Sequence, residues 1–229
     1  MAEMAIGYGS EYQLLRYLGH HRKYFNLIIL QNLGLEGDIN WFDYPVDEKR
    51  DSMDGEYKGI EFLEGHLSNE KYKQVAEEWK NFWPQSGNSH NWDGIFELNG
   101  KYYLVEAKAH LDEAHQKCQA GEDSRRMIKN AFAKTCGSHT LAQKWLNSNC
   151  YQLANRLAFI EFCKQNSIDA ELVYICFYNG YRSNPKKNLL PELREWENAM
   201  KQDIDDLQVS DALQSKIHIV CIDCLEPRK

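Results

Sequence analysis

Asp93, Glu106 and Lys108 stand in two short runs, WDGIFEL (92–98) and KYYLVEAKA (101–109), whose other residues suit buried strands. Charges are seldom buried without compensation, so this trio needs partners, either internal or supplied by a ligand. Asn99-Gly100 between the runs is a strong hairpin signal, and a two-residue turn there pairs Leu98 with Lys101. Counting outwards, Glu97 faces Tyr102, Ile95 faces Leu104 and Asp93 faces Glu106. Opposed residues project from one face of a sheet, and strand alternation brings Lys108 to that face as well. Two carboxylates so placed repel each other. A hard cation such as Mg²⁺ would remove the conflict by taking oxygen ligands from both, and the backbone carbonyl of Ala107 is a further candidate ligand. Lys108 would then orient a water or help to deprotonate it, while the cation stabilises charge developing on a phosphoryl group. The plainer alternative leaves Lys108 neutralising one acid while the other meets solvent at the frayed end of the hairpin.

The elements that must position this hairpin are marked by caps and periodicity. Ser10 is placed to cap a helix through EYQLLRYLGHHRKYFNLIILQNL (11–33), which Gly34 stops. An irregular aromatic stretch follows, with short strands expected in INWFDY (39–44) and YKGIEFL (57–63). Ser68 caps a second helix, NEKYKQVAEEWKNFW (69–83), which Pro84 terminates. After the hairpin, apolar residues three and four apart predict helices over 123–135, 140–146 and 151–166. ELVYICFY (171–178) is the nearly continuous apolar run of a strand covered on both faces. A helix over 191–207 and a last strand over 216–224 complete the order. This order predicts an α/β fold, a central mixed β-sheet flanked by helices, with an N-terminal helical extension. No repeat or linker divides residues 1–229, so a single domain is expected.

Composition narrows the class. With 43% hydrophobic residues the chain can build a substantial core, which excludes a disordered protein. The opening MAEMAIGYGSEYQLL lacks a basic segment followed by an apolar run, and FNLIIL is too short to cross a bilayer. No membrane association and a cytoplasmic location are therefore expected. Seven irregularly spaced cysteines read as buried free thiols; neither Cys221-x-x-Cys224 nor Cys136 with His139 completes a zinc set. The net charge of −7 opposes non-specific nucleic-acid binding, leaving Arg125, Arg126, Arg182, Lys186 and Lys187 as candidates for a local basic cleft or for ordinary solvated surface. The histidines at 20, 21, 90, 110, 115 and 139 show no paired helical spacing with a third ligand, and no nucleophile elbow, Walker loop or dinucleotide fingerprint is present.

The pattern WDGIF…VEAKA resembles the PD-(D/E)XK nuclease superfamily, with its restriction-endonuclease-like fold. Asp93 matches the family's first acid, Glu106 the second and Lys108 the lysine, while Trp92 replaces the usual proline. The resemblance covers roughly Ser68 to Cys224, making 68–229 a nuclease-like core and 1–67 an extension without counterpart. It implies Mg²⁺- or Mn²⁺-dependent hydrolysis of phosphodiester bonds in DNA or RNA, and a homodimer where both strands of a duplex are cut. It also implies another acid from a preceding helix, for which Glu11 and Glu78 are the candidates. Each equally reads as an ordinary surface acid, Glu11 at a helix N-terminus that favours negative charge. On the helix over 151–166, Gln152 and Arg156 are the candidates for holding a phosphate, or else a surface pair. A nuclease-like fold without turnover, acting as a nucleic-acid-binding or regulatory module, is the alternative.

Overall fold

The computed structural model describes residues 9–44, 46–47, 53–54, 56–86, 90–180 and 192–225. Arg182, Lys186 and Lys187 lie outside the described residues. The expected N-terminal helix is two helices, α1 (Ser10–His20) and α2 (Arg22–Leu33), because His21 (φ −130°, ψ 23°) leaves the helical region. Gly19 and two histidines are weak helix formers, so the break falls where propensity is lowest. Gly9, without a side-chain bond, occupies the cap position expected for Ser10, whereas Gly34 (φ 64°) closes α2 in the left-handed conformation as read.

Short strands follow: β1 (Asn40–Trp41), β2 (Val46–Asp47), β3 (Met53–Asp54) and β4 (Tyr57–Lys58). The expected strand over 57–63 is half right, since residues Glu61–Leu63 form a 3-10 turn. Ser68 caps α3 (Asn69–Phe82) by accepting the Lys71 N–H at 3.3 Å. Next come β5 (Asn91–Trp92), β6 (Gly94–Leu98), β7 (Lys101–Lys108) and the helices α4 (Leu111–Ala114), α5 (Glu122–Cys136), α6 (His139–Asn147) and α7 (Tyr151–Gln165). β8 (Ala170–Tyr178), α8 (Leu193–Asp206), α9 (Asp211–Gln214) and β9 (Ile217–Asp223) complete the described chain.

The main sheet runs β1-β6-β7-β8-β9, antiparallel from β1 to β7 and parallel from β7 to β9. Alternation divides its side chains between two cores. Leu104, Leu172, Tyr174 and Cys176 pack against residues of α3 and α5 to α8, including Trp79, Phe132, Trp145, Phe159 and Trp196. Tyr103, Val105, Ala107, Val173 and Ile175 pack on the other face against Leu14, Tyr17, Phe25 and Ile29 of α1 and α2. β8 is buried along nearly its whole length, as its uninterrupted apolar run requires. The described residues of the N-terminal part (1–67) belong to the fold's body: β1 is the sheet's edge, α1 and α2 cover one face, and Ile60, Phe62 and Leu63 enter the other core. Among the described residues no helix is long and apolar enough to cross a membrane.

Candidate functional site

The hairpin that carries the trio forms as its turn chemistry dictates. Asn99 (φ 55°) and Gly100 (φ 79°) make the turn, and the ladder pairs Leu98 with Lys101, Glu97 with Tyr102, Ile95 with Leu104 and Gly94 with Val105. There the expected register stops. Asp93 donates its N–H to the carbonyl of Val105 at 3.1 Å, one residue short of Glu106, which makes a bulge. The cause is a change of partner, for β5 pairs with β4, Tyr57 against Trp92, before β6 joins the main sheet. Asp93 is the residue between the two ladders. Gly94 is needed beside it, since a Cβ there would meet the Trp41 ring at 3.2 Å.

The bulge turns Asp93 away from a direct face-to-face pairing with Glu106. Asp93 Oδ2 instead accepts the Ala107 N–H at 2.7 Å, and its carbonyl accepts the Tyr44 hydroxyl at 2.6 Å. Ala107 follows Val105 by two and so aims its N–H and C=O to the same side as Val105, past the end of the β6 ladder. That carbonyl leaves the strand on the same edge as the N–H that Asp93 holds.

Glu106 and Lys108 share the face of Leu104 and are buried, 1% and 7% exposed. Glu106 is held by more groups than the sequence indicated. Its Oε1 accepts Lys108 Nζ in a short contact and Gln152 Nε2 at 2.8 Å; its Oε2 accepts Arg156 Nε at 2.7 Å and lies 2.6 Å from the other arm of the guanidinium. α7 presents Gln152 and Arg156 one turn apart, so both reach one carboxylate. Arg156 also donates to the Asn91 carbonyl at 2.8 Å and lies over the Trp92 ring, 4.7 Å from its centroid. Arg156 is buried, which removes the surface-pair alternative. The two residues expected to meet a phosphate hold Glu106 in this state.

The electrostatics follow from this crowding. Burial alone would push Glu106 up, but Arg156 and Lys108 outweigh it and hold the carboxyl below the usual 4.5. Lys108 is raised, because Glu106 and Asp93 overcome the burial that would lower it; at neutral pH it is an ammonium. Asp93 is pushed up to about 7, first by burial and then by the Glu106 charge, with a smaller contribution from Glu56. Continuing the β4–β5 register one step past its last pair puts Glu56 beside Asp93. Sequence reasoning missed it because a two-residue strand leaves no periodic signal.

The remaining candidates are not brought to the trio. Glu11 is exposed on α1, which packs on the other face of the sheet, and Glu78 is exposed on α3, bonded along its own helix to Gln74. Arg125 is spent on Asn147 and the Cys118 carbonyl, and Arg126 on Asp123. A cleft of about 800 Å³ opens at Gln152 and Arg156, with Asn91, Gln116, Lys117 and Asn155 also on its wall. Comparison of the chain with protein-family models, with curated proteins and with solved structures finds no match.

Proposed function

We propose that the protein is a divalent-metal-dependent nuclease that hydrolyses phosphodiester bonds in DNA or RNA. The observation that carries this reading is the gathering of Asp93, Glu106 and the buried Lys108 where β7 ends, an arrangement whose burial and Glu106 charge push Asp93 up to about 7. Paired acids whose environments drive their proton affinities apart mark functional sites more often than structural ones. In open α/β sheets ligands bind outside the carboxyl ends of the strands, and Lys108 is the last residue of β7.

The donor set suits Mg²⁺ or Mn²⁺ on one side and resists it on the other. Asp93 and the Ala107 carbonyl are hard oxygen ligands, and Gln152 Oε1 is a buried acceptor with no partner among the described residues. Glu106 has its oxygens committed to Lys108, Gln152 and Arg156, so Lys108 must leave Oε1 before a cation can share it. The bound cation would supply charge stabilisation at the phosphoryl oxygens. Lys108, released towards the cleft, donates a hydrogen bond to the attacking water; being protonated, it orients the water and leaves the deprotonation to another group. Arg156 has the planar fork to follow a phosphate once Glu106 is engaged elsewhere. All seven cysteines are free thiols, which suits a reducing cytoplasm.

A second reading has its own observation. Glu106 is already paired with both Lys108 and Arg156, so the fold can close without a cation and act as a nucleic-acid-binding or regulatory module. Purified protein incubated with Mn²⁺ or Mg²⁺ and a panel of single- and double-stranded DNA and RNA tests the first reading, with the Lys108→Ala variant as its control. Cleavage by wild type and not by the variant supports the nuclease. Equal degradation by both means a contaminant, and the reading fails. Calorimetric titration with Mn²⁺ then separates the two: heat that disappears in Asp93→Ala favours the enzyme, and no heat in wild type favours the module.

A further inference from the structure

Three buried carboxylates can be compared by their counter-charges. Glu106 has Lys108 and Arg156, and Glu171 has Lys101, Lys216 and His218. Asp203 of α8 is equally buried, 5% exposed, yet among the described residues its partners include no lysine or arginine. Its oxygens meet His115 Nε2 at 3.0 and 3.2 Å and the Cys150 thiol at 3.2 Å. All three donor atoms lie within 4.8 Å of one another. A buried carboxylate facing only an imidazole and a thiol is under-compensated, and a bound cation is one way to complete it.

We propose that His115, Cys150 and Asp203 form a binding site for Zn²⁺, separate from the Asp93–Glu106 site. The ligand chemistry selects the ion: thiolate and imidazole favour Zn²⁺ over Mg²⁺ or Ca²⁺, and one carboxylate is common in such sets. Zinc bonds of 2.0–2.3 Å at tetrahedral angles put donors about 3.5 Å apart. The two Asp203 contacts are already near that spacing, and the His115 ring has to swing only towards Cys150. Cys150 is buried whereas the His115 side chain is 36% exposed, so the ion has a path from solvent and a fourth position for water. The three ligands come from separate elements: the residue that ends α4, the residue that caps α7, and the last turn of α8. A backbone bridge between Gln116 and Cys150 already joins the first two. Bound Zn²⁺ would tie α8 to that corner and fix the start of α7, two residues before Gln152. Nothing in the sequence signals this set, whose members are far apart and follow no motif spacing.

Co²⁺ is the probe, because its bond to a thiolate gives a near-ultraviolet charge-transfer band that carboxylate sites do not. Protein stripped with a chelator and titrated with Co²⁺ should develop the band at one equivalent, and excess Mg²⁺ should leave it unchanged. The band should vanish in Cys150→Ser and survive in Cys221→Ser and Asp93→Ala. In His115→Ala, a partly exposed change that the fold tolerates, Co²⁺ affinity should fall at least about tenfold. Zn²⁺ should raise the melting temperature of wild type and leave that of His115→Ala where it is. Absence of the band in wild type, or its persistence in Cys150→Ser, overturns the assignment.

Discussion

Glu106 and Glu171 sit on the same sheet, both almost wholly buried, each ringed by cations, and they behave in different ways. Glu171 lies near the start of β8, where Lys101 at 2.6 Å, Lys216 at 2.9 Å and His218 at 2.6 Å surround it, and the exposed Asp169 reaches the same two lysines at 3.8 and 3.9 Å. Burial would raise it, yet hydrogen bonds from His218, Lys101 and Lys216 hold it far below the usual carboxylate range. Glu106, towards the other end of β7, shares its cations with a second acid. Asp93 is pushed up to about 7, first by its own burial and then by the Glu106 charge. Around Glu171 three bases close on one buried acid, and the second acid, Asp169, is solvated, which makes a clamp. Two acids competing for two bases leave one of them poorly satisfied, and that residual demand is what a ligand can answer.

Activity offers the widest separation of the two regions. Lys108→Ala should reduce metal-dependent cleavage at least about 100-fold, the scale of losing a group that acts on the attacking water. Lys101→Ala, which loosens the clamp alone, should leave the rate of the same assay unchanged. A rate equally damaged by both would dissolve the distinction. Stability comes next. Glu106→Gln strands Arg156 and Lys108 away from water and should cost about 3–5 kcal/mol in chemical denaturation. Glu171→Gln should cost about 1–3 kcal/mol, because the heads of Lys101 and Lys216 are partly solvated and can turn outward.

The smallest effect is also the most diagnostic, because the two acids give opposite signs with pH. Asp93 holds its proton more tightly folded than unfolded, so its contribution to stability falls as pH rises from 3.8 to about 7 and is level above that. Glu171 is the reverse: its contribution is complete above 4.5 and is lost as pH falls below that value. Asp93→Asn keeps an acceptor for the Ala107 N–H and removes the charge. It should raise stability above pH 7 by about 1 kcal/mol and flatten the profile between 3.8 and 7. Denaturant melts across this range measure both. Mn²⁺ affinity should follow the same group, weakening about tenfold per pH unit below 7 as protons compete for Asp93. Affinity that does not vary with pH would detach the cation from Asp93.

Much of this was legible in the sequence for a local reason. Asn-Gly fixes a turn, the turn fixes a register, and alternation then fixes the faces of Leu104, Glu106 and Lys108. The run over 171–178 announced a strand covered on both sides, and Ser68 began α3 and Gly34 ended α2 where their chemistry said they would. Glu11 and Glu78 show the limit of that method. Their spacing allowed a place in the site, but which way a boundary glutamate turns depends on what packs beside it.

Sequence alone therefore determined the hairpin, the mixed sheet and the proximity of Glu106 to Lys108, since each follows from neighbours a few bonds apart. Only the tertiary structure decided that β4 would draw Asp93 into a bulge, that Arg156 would spend its fork on Glu106, and that His115, Cys150 and Asp203 would meet. Those outcomes come from segments distant along the chain competing to satisfy buried backbone groups and charges, and such competition leaves no periodicity to read.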